Sequence, residues 1–357
     1  MSIIHRHLLI TFLRNFAHTM ASALVLFTFV DLMDHTDNFM DNNASLLMIG
    51  RFYLYKMGWI VDIAQPVSLL MATLFTIGTM ARYLELTALF ASGWSLLRIS
   101  SPLIAVAFLM MIFSLAWREY VLPVSNAGAH RVWEVEIHKQ PDRINPTERV
   151  TLTDDLGRMY YARKFDPNSG LLTDLKIVTS ENASVVDRID AARAEWDGNA
   201  WTLFEGSRRT FVQGQEVITY FDRLKARDLT VDPKSFFKDR VRPEDMNFRQ
   251  LKNHIRLLQL SGGDPTRSLV DFQFKMAFPF VNIIVVMLGI ILASAPRKTT
   301  IASGFGLTLL ISFGYFIFME VGRSLGHNGT LHPILAAWSG NLLYTMIFLA
   351  MFFHARR

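Results

Sequence analysis

The sequence predicts an α-helical membrane protein with six transmembrane helices, three on each side of an inserted all-β domain. Three observations predict it. Hydrophobic residues make up 51% of the 357 and charged residues only 19%, and the mean hydropathy is +0.25, which puts a purely soluble reading at a disadvantage. Six apolar runs, near 8–33, 58–80, 99–122, 272–295, 301–322 and 333–353, are long enough to cross hydrocarbon, whose roughly 30 Å takes about 20 residues per helix. Of the 67 Lys, Arg, Asp and Glu residues, 45 lie within 124–268, 23 basic and 22 acidic, so the middle reads as a nearly neutral soluble domain.

The chain opens with MSIIHRHLLITFLRNF, basic and then apolar like a signal peptide. The apolar region is too long and lacks a small-residue cleavage site at the right distance, which makes it an uncleaved first span. Polar DHTDNFMDNN then reads as a loop. Between spans 2 and 3 stands ARYLELTALFASGWSLLR (81–98), helical in pattern, broken by Ala91-Ser92-Gly93 and carrying one acid, Glu85. On a helix Leu84, Thr87, Ala88 and Ala91 share one face, Arg82, Glu85 and Leu89 lie elsewhere, and Ser92-Gly93 ends or kinks it before span 3. The stretch reads equally as an amphipathic docking element and as a surface-lying turn that merely joins two helices.

Alternating the six spans puts Arg6, Arg14, Arg82, Arg98, Arg297, Lys298, Arg356 and Arg357 on one side, with Glu85 as the only acid among them. The positive-inside rule makes that side cytoplasmic, with both termini there and the middle domain opposite.

Within 125–232 the pattern changes to short β-branched and aromatic runs, RVTLTDD, GRMYYARKF, LLTDLKIVTS, ARAEW, AWTLFEG, RRTFVQG and EVITYF, which read as strands. Turn chemistry separates them in DDLG, DPNSG and Asp197-Gly198-Asn199, the last as a hairpin requires. An all-β sandwich or open roll follows. From 243, PEDMNFRQLKNHIRLLQLSGG offers an N-terminal Pro and acids, apolar Leu251, Ile255 and Leu258 at helical spacing, and a Gly-Gly stop, so a juxtamembrane helix over 243–268 leads to span 4. The domains are thus 1–123 with spans 1–3, 124–242 with the strands, 243–268, and 269–357 with spans 4–6.

Nothing in the sequence has the form of a catalytic or phosphate-binding motif. Cysteine is absent, and the ten histidines lack metal-ligand spacing. Basic excess outside the middle domain is explained by topology, so nucleic-acid binding is discarded. Charges in or near the ends of spans are more informative, being costly in lipid unless paired, hydrated or facing a cavity. They are Asp31, Asp62, Arg118, Glu119, Asp271, Lys275, Glu320 and Arg323. Each reads as an interfacial anchor or a local pair, such as Glu320 with Arg323 at i,i+3, or as part of a polar rim around a substrate cavity.

QPVSLLMATLFTIGTMARYLELTALFASGWSLLRISSPL resembles the second span, coupling helix and third span of the LptF/LptG permeases, which belong to the lipopolysaccharide exporter of Gram-negative bacteria. The matching features are Pro66 early in span 2, then Glu85 followed six residues later by Ala91-Ser92-Gly93. DLTVDPKSFFKDRVRPEDMNFRQLKNHIRLLQLSGGDPTRSLVDFQFKMAFPF and SGFGLTLLISFGYFIFMEVGRSLGHNGTLHPILAAWSGNLLY are also similar to the family, so the likeness covers nearly the whole chain. Phe29-Val30-Asp31 and the Ala-Ser-Gly lean toward the LptG branch, whereas NGTLHPILAAW looks more like the LptF branch.

The resemblance implies a permease half-transporter of an ABC exporter in the bacterial inner membrane, with a periplasmic β-jellyroll. It binds no cofactor itself; ATP and Mg belong to a dimeric LptB-type ATPase. That ATPase would receive the coupling helix at 82–97, through Arg82, Glu85, Leu86, Leu89, Ala91, Ser92 and Gly93. The other implied partners are a paralogous LptF/LptG permease, an LptC-type single-span jellyroll protein and lipopolysaccharide. Phe27, Asp31, Asp62, Phe318, Glu320 and Arg323 are the candidates for the substrate cavity or gate, and spans 1 and 5 would line it. Tyr160, Ala162, Leu175 and Ile177 are the candidates for a lipid path along the jellyroll, although an ordinary core gives the same alternation. Where relatives can carry lysines after the FVD of span 1, this chain has Asp34 and His35, so phosphate recognition does not transfer to that patch. A reading from another class is a membrane-anchored periplasmic interaction or sensor protein without transport, in which the spans only hold the β-domain.

Overall fold

The computed structural model describes residues 3–138, 147–153, 158–166, 169–181, 184–198, 200–212, 215–226, 229, 243–260, 264–294 and 301–355. The chain divides into two compact units, Met1–Lys139 with Leu269–Arg357, and Gln140–Ser268. In chain order the elements are α1 (Ile3–Asp41), α2 (Leu46–Arg82), α3 (Glu85–Ala91) and α4 (Leu96–Ile137). Six strands follow, β1 (Thr147–Thr153), β2 (Arg158–Asp166), β3 (Leu171–Glu181), β4 (Ser184–Trp196), β5 (Trp201–Val212) and β6 (Gln215–Ala226). Then come α5 (Phe248–Leu260), α6 (Thr266–Ser294), α7 (Ile301–His327) and α8 (Pro333–Ala355). Helices α1, α2, α4, α6, α7 and α8 are each long and apolar enough to cross a membrane.

The predicted spans sit inside longer helices. Helices α1 and α2 have 39 and 37 residues, each about 55 Å long at about 1.5 Å per residue, well beyond roughly 30 Å of hydrocarbon. The expected polar loop DHTDNFMDNN is helical through Asp41. The turn shrinks to residues 42–45, with Asn43 left-handed (φ 51) and the Ser45 hydroxyl accepting from the Met48 N–H at 3.3 Å. The cause is a small second core in which Phe39, Phe52, Tyr53, Val132 and Ile137 are buried and Trp133 packs against them, so the outer turns have apolar surface to cover.

Helix α4 likewise continues through 124–137, which the sequence reading assigned to the β-domain; the first strand starts only at Thr147. Pro123 removes a donor there, and a π turn over Trp117–Val121, closed by the Leu122 N–H on the Trp117 carbonyl, carries the helix across it. Close packing with α2 fixes this extension: Gly58 lies against Ser125 and Gly128 against the Tyr55 ring, with no room for a Cβ at either. Helix α2 is the hub of the unit. It packs against α1, α4, α6 and α7, and 72% of its apolar window is buried, against 6% for α1.

In the second unit the six strands hydrogen-bond in sequence order, all antiparallel, in one sheet. Of the two arrangements left open by the sequence, the described strands take the single-sheet one. ARAEW is the end of β4, and AWTLFEG runs on into RRTFV as the single strand β5, paired with β4 and β6 on both sides of the left-handed Glu205 (φ 49) in one register. The hairpin at Asp197-Gly198 is present: Gly198 has φ 95, and Asp197 Oδ1 accepts from the Ala200 N–H at 2.8 Å. Asn199, the DDLG turn and part of DPNSG lie outside the described residues.

One face of the sheet is apolar and buried, but its alternation changes phase at a common level. The buried residues are spaced by three at Ala162–Phe165, Leu172–Leu175 and Ala191–Ala194, around the facing positions Arg163, Asp174 and Ala192. Asp174 (φ 53) and Glu205 are the left-handed residues of this crease, and Arg163 pairs with Asp174 at 2.6 Å.

Leu251, Ile255 and Leu258, the stripe read from the sequence, are the buried face of α5. His254 beside them has its pKa lowered by burial, which disfavours the charged imidazolium. The unfolded chain therefore binds the proton more readily than the folded one, and stability falls as pH drops from the ordinary histidine range through the depressed value. Protection factors of the α5 amides, which allow for the slower intrinsic exchange at lower pH, are expected to fall between pH 7.5 and 5.5, and His254→Gln to flatten that dependence; an unchanged slope in the variant would refute it.

Candidate functional site

The segment between spans 2 and 3 is built from three local breaks. Leu84 is left-handed (φ 62) and separates α2 from α3. At the other end Gly93 takes φ 84, while the Trp94 N–H donates to the Leu89 carbonyl at 3.1 Å and the Gly93 N–H to the Phe90 carbonyl at 3.0 Å, the closure that glycine permits at a helix C-terminus. Ser95 then caps α4 through the Arg98 N–H. The expected helix over 82–97 is therefore the end of α2, a two-turn helix over 85–91 and a tight turn.

Its amphipathicity is real. Leu86 is 2% exposed within the main core, and Leu89 and Trp94 pack against that core. Outward face Arg82, Tyr83, Leu84, Glu85, Thr87, Ala88, Phe90, Ala91, Ser92 and Gly93. Thr87, Ala88 and Ala91 share an exposed face as the spacing predicts. The element is held from below by two leucines and presents Glu85 among apolar and small residues.

At the end of the bundle away from α3, the span carboxylates Asp31, Asp62 and Asp271 are partnered across helices. The Asp62 carboxylate of α2 is 3% exposed and takes both arms of Arg118 from α4, Nε at 3.0 Å and Nη2 at 2.7 Å; the guanidinium lies 3.9 Å from the Phe278 ring centroid of α6. Asp31 of α1 binds Lys56 Nζ at 2.7 Å and accepts from the Tyr53 hydroxyl at 3.0 Å, both from α2. His35, one turn along, bonds the Asp31 carbonyl at 2.8 Å. Asp271 of α6 takes Arg323 and His327 of α7, with Oδ1 3.2 Å from Arg323 Nη2 and 3.0 Å from His327 Nε2.

The six cavity candidates are thus not gathered into one site. Asp31, Asp62 and Arg323 belong to three separate ion pairs, Phe27 is half-buried on α1, and Phe318 and Glu320 are exposed on α7. Arg323 turns to Asp271 of the neighbouring helix in place of Glu320, with Nε and Nη2 both reaching the one oxygen Oδ1, at 3.3 and 3.2 Å. Sequence reasoning missed Lys56, Tyr53 and His327, since a cross-helix partner leaves no spacing signal. The four lipid-path candidates do meet: Tyr160 faces Ile177 and Ala162 faces Leu175 across β2 and β3, all 0–2% exposed.

A polar network also crosses the spans. Helix α6 tightens to a 3-10 turn at Phe278–Phe280, where the Val281 N–H bonds the Phe278 carbonyl. That leaves the Ala277 carbonyl for the Asn341 side-chain amide of α8 at 2.7 Å, whose Oδ1 accepts from the Tyr315 hydroxyl of α7 at 2.9 Å. Broken helices are tolerated in lipid where neighbours satisfy the freed groups.

Span charges spent on helix–helix pairing and a shaped, outward-facing segment between two spans define a multi-pass membrane protein of permease type. A family model described as the lipopolysaccharide export system permease LptF/LptG matches residues 6–354. The chain belongs to the LptF/LptG family. It is 22% identical over 289 residues, 80% of this chain and 79% of the relative, to the lipopolysaccharide export system permease protein LptG of Haemophilus influenzae, in line with the LptG lean. It is accordingly an inner-membrane lipopolysaccharide export permease, a transport subunit with a β-domain inserted between its third and fourth spans.

Proposed function

We propose that this chain extracts lipopolysaccharide from the outer leaflet of the inner membrane and passes it to a periplasmic bridge, driven by ATP hydrolysis on an LptB-type ATPase dimer docked on α3. The observation that carries this reading is the two-turn helix between spans 2 and 3, anchored by Leu86 and exposing Glu85 with Tyr83, Leu84 and Phe90. Basic residues on that side of the spans support a cytoplasmic placement for α3 and both termini, and a periplasmic one for the sheet.

A paralogous permease would complete the cavity beside α1 and α7, where Phe27, Asp31, Phe318, Glu320 and Arg323 reside, and an LptC-type protein would receive the lipid. Each acyl CH₂ moved into water costs about 0.8 kcal/mol, so a ~14-carbon chain needs an apolar path worth on the order of 10 kcal/mol. The buried face containing Tyr160, Ala162, Leu175 and Ile177 offers one, which the lipid enters when the face is uncovered. ATP and Mg act on the partner, and α3 relays the movement.

Co-purification of the solubilised chain from its own host tests this. Wild type is expected to bring an ATPase and a second six-span permease, and Glu85→Lys to lose at least nine-tenths of the ATPase while keeping the permease. Absence of an ATPase from both samples would favour the anchored-domain alternative.

A further inference from the structure

We infer that His5, Trp94 and Arg98 form a clamp that fastens the first span to the coupling segment, so that movement of α3 passes directly into the gate-lining α1. Pro102 creates the socket. A proline has no N–H, so the carbonyl four residues earlier, that of Arg98, lacks its helical donor. The Ser101 hydroxyl donates to that carbonyl at 3.0 Å, and so does His5 Nε2 of α1, also at 3.0 Å from 93 residues away.

The His5 ring meets Trp94 edge-on, with centroids 5.4 Å apart and planes at 78°. The Arg98 guanidinium covers Trp94 at 4.8 Å from its centroid. Trp94 is the residue whose N–H closes α3 on Leu89. One side chain of α1 is therefore tied both to the turn that ends α3 and to the first turn of α4. Leu8 and Phe12, the next buried residues along that face of α1, share the core that holds Leu86.

This inference rests on the proposed coupling of α3 to an ATPase. Its test uses the complete complex in proteoliposomes loaded with lipopolysaccharide, reading both ATP hydrolysed and lipid released. For His5→Ala the ATPase stays bound at wild-type stoichiometry, hydrolysis continues, and lipid released per ATP falls about fivefold. His5→Gln, which still donates to the Arg98 carbonyl, recovers at least half of the ratio, and Trp94→Ala reproduces the loss. Because this chain has no cysteine, spin labels at Arg6→Cys and at the exposed Leu97→Cys, with any cysteines of the partner chains replaced, report the distance between α1 and the segment that follows α3. That distance stays constant through the nucleotide cycle in wild type and varies with it in His5→Ala.

An unaltered lipid-to-ATP ratio in His5→Ala, or a label distance that changes with nucleotide in otherwise wild-type protein, overturns the clamp while leaving ATPase coupling intact. Loss of lipid release through loss of the ATPase itself in His5→Ala also overturns it, since the residue would then act on docking. Retention of the ATPase by Glu85→Lys, measured in parallel, tells against the coupling reading and removes the clamp's role with it.

Discussion

Arg118→Ala is expected to cost about 3–5 kcal/mol of stability, the largest effect of any single change in the helical unit, because it strands the Asp62 carboxylate in a buried site. The pair joins α2 to α4, and Arg118 also caps the Phe278 ring of α6, so the hub and two of the helices around it lose a common tie. The origin of the cost is desolvation more than lost attraction. A double replacement, Asp62→Leu with Arg118→Leu, is accordingly expected to regain most of the loss. Thermal unfolding of the purified protein in detergent separates the cases; if the single and double variants unfold alike, the pair is not what holds this junction.

The second large effect is expected at Asn341. Asn341→Leu keeps the branched shape, adds the bulk of two methyl groups and removes both polar atoms, which leaves the Ala277 carbonyl without its cross-helix donor and the Tyr315 hydroxyl without its acceptor. Each stranded group costs about 1–3 kcal/mol when buried, and the membrane alternative of other local partners trims this toward the lower end. A net loss of about 2 kcal/mol follows, with Tyr315→Phe in the Asn341→Leu background adding little, since its hydroxyl is already unsatisfied. A full additional loss from Tyr315→Phe would show that the network is not cooperative.

The spans, their order and the amphipathic segment before span 3 were legible because apolar length, basic flanks and an Ala-Ser-Gly break are local signals. The helical extensions were not. DHTDNFMDNN is polar enough to read as a loop, and only the burial of Phe39 against Phe52 and Trp133 makes it helical. Charge pairing escaped for a related reason: Asp62 and Arg118 are 56 residues apart, and Arg323 passes over its neighbour Glu320 for Asp271. In the β-unit the strands were legible, but β5 was divided in two, since its period of two fails at Glu205-Gly206. His5 was read as one scattered histidine among ten, and its role depends on Pro102 at a distance no periodicity conveys.

The crease across the sheet has a bearing on how the strands find one another. A plain alternating strand can slip by two residues and still show its apolar side chains to the same face. Here the phase reverses once in each of β2, β3 and β4, between Ala162 and Phe165, Leu172 and Leu175, Ala191 and Ala194. A slip of two would set one strand's reversal against its neighbour's regular stretch, turning apolar side chains outward on one side of the line. The reversals thus act as notches in a key, and the strands mesh along their whole length in a single alignment.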